Sequence, residues 1–278
     1  MTTEPVRTWD SAEAAELWKR GAARRGQAVA VATEEMLAAA GLRPGMRVLD
    51  LAAGTGDQSL LAAQNVGASG SVVATDISTS MLRAAEEAAR DAGLHNIETL
   101  AADASTIDLP EAGFDAAICR FGLMFLPDLH AALVRVHRAL KPGGRFATLV
   151  WSTEDKNPYI ALQLGVVRDM GRLPSLPPTL ARTVSLSGPG QLERALKEAG
   201  FQDIQVSSVS TPRDFASLDE AFDAMFTSSP ARAELTHDMS EAELEHYAAE
   251  LKRRLMRFVQ PGGRCLVPGE ALLGVGSR

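Results

Sequence analysis

Apolar positions along this chain change period several times, and the changes mark its elements. From about residue 46, short β-type runs alternate with longer stretches whose apolar residues recur at helical spacing. That alternation is the pattern of βαβ units whose parallel sheet is covered on both faces. The runs predict strands at 46–51, 71–76, 96–101, 114–120 and 145–152. Ser78 is placed to cap a helix carrying Met81, Leu82, Ala85, Ala88, Ala89 and Ala92, and Gly93 is placed to end it. Asp128 and Pro142 bracket a second helix with Leu129, Leu133, Val136 and Leu140 on its buried side, and Lys141-Pro142-Gly143-Gly144 predicts a turn into the next strand.

The rhythm breaks at 153–187, where Pro158, Pro174, Pro177 and Pro178 interrupt weakly periodic apolar positions and predict an inserted segment outside the sheet. A helix at about 190–199, stopped by Gly200, and a strand at 202–211 follow, and the apolar run 270–275 predicts a late strand. Two late strands without a short crossover predict antiparallel pairing near the sheet edge. Between them Ser240-x-x-Glu243 is a capping box ahead of Leu244, Tyr247, Leu251, Leu255 and Phe258, so the 213–265 insertion is expected to be mostly helical. The division expected is therefore N-terminal helices at 1–45, a core at 46–152, a cap insertion at 153–187, and at 188–278 the rest of the sheet with its own insertion.

Composition narrows the function classes. The 278 residues are 46% apolar and 23% charged, ordinary for a globular chain, and the net charge of -7 has the wrong sign for a protein that binds by neutralising nucleic-acid phosphates or an anionic membrane surface. Cys119 and Cys265 are too few for a disulfide framework, each sits in an apolar run that predicts a buried thiol, and no Cys/His cluster suggests a metal. With no continuous apolar h-region near the start and no run approaching eighteen apolar residues, the expectation is a cytoplasmic protein with no nucleic-acid or membrane partner. Its assembly is left open between a monomer and a homodimer.

The chemistry concentrates in Val48-Leu49-Asp50-Leu51-Ala52-Ala53-Gly54-Thr55-Gly56-Asp57, a hydrophobic strand ending in an acidic residue and a turn of small residues. Small residues let a backbone approach a ligand. A dinucleotide fold would want G-x-G-x-x-G and a helix start left clear for a pyrophosphate. Here the third position is Ser59, Asp57 stands where the diphosphate would lie, and Asp50 leads into the loop. Two carboxylates repel an anionic cofactor and suit one with an amino group and no phosphate.

The chain resembles the class I S-adenosylmethionine-dependent methyltransferases, in the ubiquinone/menaquinone C-methyltransferase-like (methyltransferase type 11) group, over about residues 45–152. The resemblance is carried by the Leu-Asp-x-Ala-x-Gly-Thr-Gly-Asp turn, Asp76-Ile77-Ser78-x-x-Met81-Leu82, Ala102-Asp103-Ala104, Phe114-Asp115, Phe121-Gly122-Leu123 and Leu140-Lys141-Pro142-Gly143-Gly144. It implies a Rossmann-like, doubly wound α/β sheet of seven strands, mainly parallel with one antiparallel strand, plus a helical cap. It also implies S-adenosylmethionine as cofactor and a small-molecule methyl acceptor, whose O, N or C nucleophile attacks the sulfonium methyl in line. After Trp151 the later substrate-side motifs of the quinone enzymes are missing, which puts a quinone acceptor in doubt. The cap's apolar residues, including Leu162, Val166, Met170, Phe222, Met225, Phe226, Leu255 and Phe258, favour a hydrophobic acceptor. The competing readings are a protein that binds the cofactor without methyl transfer, as a sensor, or a cyclase or isomerase on the same scaffold.

By the same resemblance, Ala52, Ala53, Gly54 and Gly56 admit the methionine part of the cofactor and Asp50 favours its ammonium. Asp76 accepts from the ribose hydroxyls, Ile77 and Met81 sandwich the adenine, Asp103 accepts from its amino group, and the Ala104 backbone reads the ring edge. Arg120 and Phe121 fall where the family places the activated methyl and the substrate entrance. Taken singly, an aspartate ending a strand is often only a turn or cap residue, Met81 fits a helix core equally well, and Arg120 would serve equally to pair a nearby carboxylate. Trp9, Trp18 and Phe125 are candidates to contact the acceptor. No catalytic residue follows from the motifs. His130, early in the helix after the fourth strand, is the one histidine near the expected site and is the weak candidate for a base.

Overall fold

Strand β1 (Arg47–Leu51) is hydrogen-bonded on both sides, to β2 (Ser71–Asp76) and to β4 (Phe114–Arg120), and every residue after Arg47 in it is buried. The computed structural model describes residues 26–172, 178–228 and 235–278. Its main sheet has seven strands in the order β3-β2-β1-β4-β5-β9-β6, with β3 at Ile97–Ala101, β5 at Leu140–Trp151, β6 at Gln202–Ser210 and β9 at Glu270–Ser277. β9 lies between β5 and β6 and is antiparallel to both, while β1 to β5 pair in parallel. The expected fold is thus the observed one. Strand order reverses between β1 and β4, and in open α/β sheets ligands bind outside the carboxyl ends of the strands at that point.

Alternate residues of the central strands feed two cores. Leu49, Leu51, Ala117, Cys119, Phe146 and Val150 face one layer, where α4 (Leu129–Ala139) and α7 (Gln191–Glu198) bury Leu133, Val136, Leu192 and Leu196. Val48, Val72, Ala116, Ile118 and Leu149 face the other, under α1 (Ala30–Ala39) and α2 (Asp57–Val66). Each fully buried Leu or Val contributes about 1.5–3 kcal/mol, so this two-sided burial is what holds near-continuous apolar strands inside the sheet. The helix α3 (Thr79–Asp91) is capped by Ser78, whose Oγ accepts from the Met81 N–H, and α4 by Asp128, as the sequence predicts.

Two features depart from the sequence reading. Lys141-Pro142-Gly143-Gly144 is not a turn before β5 but an irregular lead within it: Leu140 pairs with Phe114 and Arg145 already with Ala116. The described residues of the 153–187 insertion lie outside the main sheet, as predicted, and hold α5 (Pro158–Asp169) and α6 (Pro178–Thr183). The 213–265 insertion is helical at α8 (Leu218–Ser228) and α9 (Glu241–Leu255), the latter with the predicted Ser240–Glu243 capping box, but its ends form a second sheet of β7 (Arg213–Phe215) and β8 (Cys265–Val267). The alternation in these three-residue strands is too short to register as a period. Around them Leu162, Val166, Met225, Leu255, Cys265 and Val267 form a third core, with Met170, Phe222, Phe226 and Phe258 packed against it. The apolar content of the cap therefore builds the cap's own interior. Cys119 and Cys265 are both buried free thiols, and no described helix is long and apolar enough to cross a membrane.

Candidate functional site

The carboxyl ends of β1, β2 and β4 bring most of the predicted residues to one place. Asp50, in β1, is completely buried. One of its oxygens accepts from Gln58 Nε2 at 3.2 Å and the other from the Ser59 hydroxyl, both on α2. Burial pushes its pKa up to about 7, against the opposing pull of those two hydrogen bonds and of the Arg120 charge. Asp50 therefore lies beneath the glycine turn and supports it from inside. Gln58 also donates to the Ala53 carbonyl at 3.2 Å, which fixes the loop between them. Ser59, where a dinucleotide fold would carry glycine, owes its place to Asp50. Gln58 does not stand out in the sequence, because a polar residue in the first turn of a helix is ordinary, and Ser59 stands out only as a missing glycine.

Gly56 takes the left-handed conformation at φ 83° and starts α2, and a Cβ there would come within 2.7 Å of Ala85 Cβ on α3. Glycine is thus required by close packing of two helices as well as by the turn. At the end of β2, Asp76 turns both oxygens to backbone: Gly54 N–H donates to one at 2.9 Å and Ser78 N–H to the other at 2.9 Å. The carboxylate pins the glycine loop to the start of α3, and each of its oxygens can accept more than one hydrogen bond, so the group suits ligand hydroxyls. Ile77 is half-buried beside it and Met81 is buried. Asp103, after β3, accepts from the backbone N–H and hydroxyl of Ser105 at 2.8 and 2.6 Å, and Ala104 belongs to the core under the sheet.

At the end of β4, Arg120 pairs with Asp57 at 3.0 Å and donates to Thr33 Oγ1 at 3.3 Å, tying α1 to the start of α2. Phe121 follows at φ 59° and Ala52 sits at φ 55°, two non-glycine residues in the left-handed region at neighbouring strand ends. Between them Gly122 has no room for a Cβ, which would meet Ala52 Cβ at 2.5 Å. Such backbone costs on the order of 1 kcal/mol per residue, and it is concentrated at the switch point between β1 and β4. The Phe121 ring stacks on Trp151, at the end of β5, with centroids 4.2 Å apart.

Of the remaining candidates, Phe125 lies on a short 3-10 turn (Leu123–Phe125), where its carbonyl accepts from Arg182 of α6 at 3.1 Å. His130 is exposed on the first turn of α4. Trp9 and Trp18 lie outside the described residues. No group of three or more His, Cys, Asp or Glu that could hold a metal is found among the described residues. A cavity of about 540 Å³ opens on the cap beside Leu162, Asp169, Arg253, Arg254 and Arg257, and none of the predicted site residues lines it. With Asp57 and Arg120 paired, Asp76 leaves the loop net acidic, an acceptor set that fits a cofactor with a cationic amino group and ribose hydroxyls and does not fit a diphosphate.

The profile of the ubiE/COQ5 methyltransferase family matches residues 31–175. A ubiquinone/menaquinone biosynthesis C-methyltransferase, UbiE, from Shewanella halifaxensis is 33% identical over 182 residues, covering 62% of this chain and 72% of the relative. Among solved structures, YcgJ from Bacillus subtilis superposes with a TM-score of 0.58 at 20% identity, over 88% of this chain and 97% of its own. The [4+2]-cyclase SpnF superposes at 0.55 with 21% identity, over 88% and 79%. These two likenesses show the fold.

Proposed function

The chain belongs to the ubiE/COQ5 methyltransferase family, and from that premise we propose how its own residues carry out S-adenosylmethionine-dependent methyl transfer to a small molecule. The observation that carries the reading is Asp76, held by the Gly54 and Ser78 N–H groups at the open end of the sheet. In this reading Asp76 takes the ribose hydroxyls, Ile77 and Met81 flank the adenine, and Asp103 with the Ala104 backbone reads its polar edge. Ala52, Ala53, Gly54 and Gly56 shape the turn against the methionine part, with Asp50 supporting it from below. Arg120 and Phe121 border the reacting end.

Bound S-adenosylmethionine supplies an electrophilic methyl group on a positively charged sulfur. The protein's share is alignment and exclusion of water, which supply several kcal/mol without a covalent nucleophile or a metal. The 153–187 and 213–265 segments cover the acceptor, with Trp9, Trp18 and Phe125 as candidate contacts. His130, exposed at the start of α4, stays a weak candidate base. The curated relative's C-methylation favours carbon over oxygen or nitrogen as the atom methylated. The family match stops at residue 175, before most of the cap, so the acceptor is not carried over with the cofactor. A cyclase such as SpnF on the same fold keeps a second reading alive, in which the cofactor acts without turnover.

Calorimetry with S-adenosylmethionine and S-adenosylhomocysteine on wild type, Asp76→Ala and Asp103→Ala tests this. Micromolar-range binding, about -8 kcal/mol, lost in the variants supports the site. Product mass then separates methylation from isomerisation, and absence of binding to either ligand would overturn the reading.

A further inference from the structure

We propose that Arg213 is an anion-binding residue of the acceptor pocket and that the methyl acceptor carries a carboxylate, an inference that rests on the methyl-transfer reading above. Arg213 opens β7 at the junction of cap and sheet. Its guanidinium carbon lies 4.0 Å from the centroid of the Tyr159 ring on α5 and 5.7 Å from that of Trp151. Trp151 in turn stacks on Phe121, one residue beyond Arg120. A continuous row of Phe121, Trp151, Arg213 and Tyr159 thus runs from the reacting end of the site into the cap.

Within that row Arg213 is a charge that none of the described carboxylates neutralises. Among the described residues no carboxylate pairs with Arg213 and no acceptor takes a hydrogen bond from it, whereas Arg120, Arg172, Arg254 and Arg264 each face a carboxylate. The adjacent Asp214 is engaged by Arg264 at 2.7 Å. Arg213 is only partly exposed, and its burial holds its pKa below the usual guanidinium range against the opposing pull of the Tyr159 hydroxyl. Two aromatic faces offset part of that cost, but they engage the plane of the guanidinium and leave its N–H edge without a protein acceptor among the described residues. A planar fork of N–H donors matches a carboxylate in two parallel hydrogen bonds.

The protein saturated with S-adenosylhomocysteine is titrated calorimetrically with 2-naphthoate and with its neutral isostere 2-naphthamide, in wild type, Arg213→Met and Arg213→Lys. A charge-assisted pair predicts tighter binding of the acid by about tenfold or more in wild type. That preference should vanish in Arg213→Met and return in part in Arg213→Lys, with S-adenosylhomocysteine affinity the same in all three. Equal affinity for acid and amide in the loaded wild-type protein, or no binding of either, overturns the proposal without any variant having to fold. So does a fall in S-adenosylhomocysteine affinity in Arg213→Met, which would assign the guanidinium to the cofactor's own carboxylate. Failure of S-adenosylhomocysteine to bind wild type would instead bring down the cofactor reading, and this inference with it.

Discussion

Ser59 on α2 donates its hydroxyl to the buried carboxylate of Asp50 on β1, and with Gln58 it is what lets an acidic residue sit at the centre of an apolar sheet. Removing the donor leaves a buried acceptor short of a partner, which costs about 1–3 kcal/mol. Ser59→Ala and Ser59→Gly should each lose that much in urea unfolding at pH 8. The loss should be smaller at pH 5, where Asp50 is protonated and desolvation is relieved. Equal losses at both pH values would mean that the contact does not stabilise the charge.

Asp50 also gives the protein an unusual pH dependence. Its pKa stands near 7 in the folded chain against an ordinary 3.8, so between those values the native state holds a proton that the unfolded chain has released. Stability should therefore fall as pH rises from about 4 to about 7 and level off above, by about 4 kcal/mol in all. Asp50→Asn removes the titration and should flatten this part of the profile. Parallel stability curves for the two proteins from pH 5 to pH 8 would refute the assignment.

Arg120 and Asp57 are partly buried partners, at 12% and 29% side-chain exposure, joining the end of β4 to the start of α2. A double-mutant cycle of Arg120→Met and Asp57→Asn should give a coupling of about 1 kcal/mol. Because the Arg120 charge also favours ionised Asp50, Arg120→Met should move the Asp50 transition to higher pH. An unshifted transition would show that the charge is screened.

The contact of Gly56 with Ala85 makes a prediction about packing. Gly56→Ala places a Cβ 2.7 Å from a neighbouring carbon at a left-handed backbone position and should destabilise by about 1–3 kcal/mol. Adding Ala85→Gly should recover part of this in thermal unfolding, despite the cost of glycine in a helix. No recovery would place the whole cost on the turn.

Much of this architecture was legible in the sequence because the central strands are buried on both sides and the helices between them are capped by Ser78 and Asp128 in their ordinary positions. The candidate cofactor residues were legible as a family pattern, but the pattern does not say that Asp50 points inward. Its oxygens meet Gln58 and Ser59 only once α2 folds back on β1. The β7–β8 ribbon and the pairing of Arg213 with Tyr159 and Trp151 were beyond reach: they join residues at least fifty positions apart, through strands of three residues. The cap's apolar residues carried the opposite lesson, since composition cannot distinguish a pocket lining from a core.

The place of β9 in the sheet bears on how the chain assembles. β1 to β5 can pair among themselves once residue 151 has been made, but β6 touches the rest of the sheet only through β9, which comes sixty residues later. During synthesis the outer edge of β5 and the whole of β6 stay unpaired until β9 emerges and is threaded antiparallel between them. Open strand edges recruit other strands, so the nascent protein is most prone to self-association in that interval, and a chaperone that shields β5 would act before the sheet is closed.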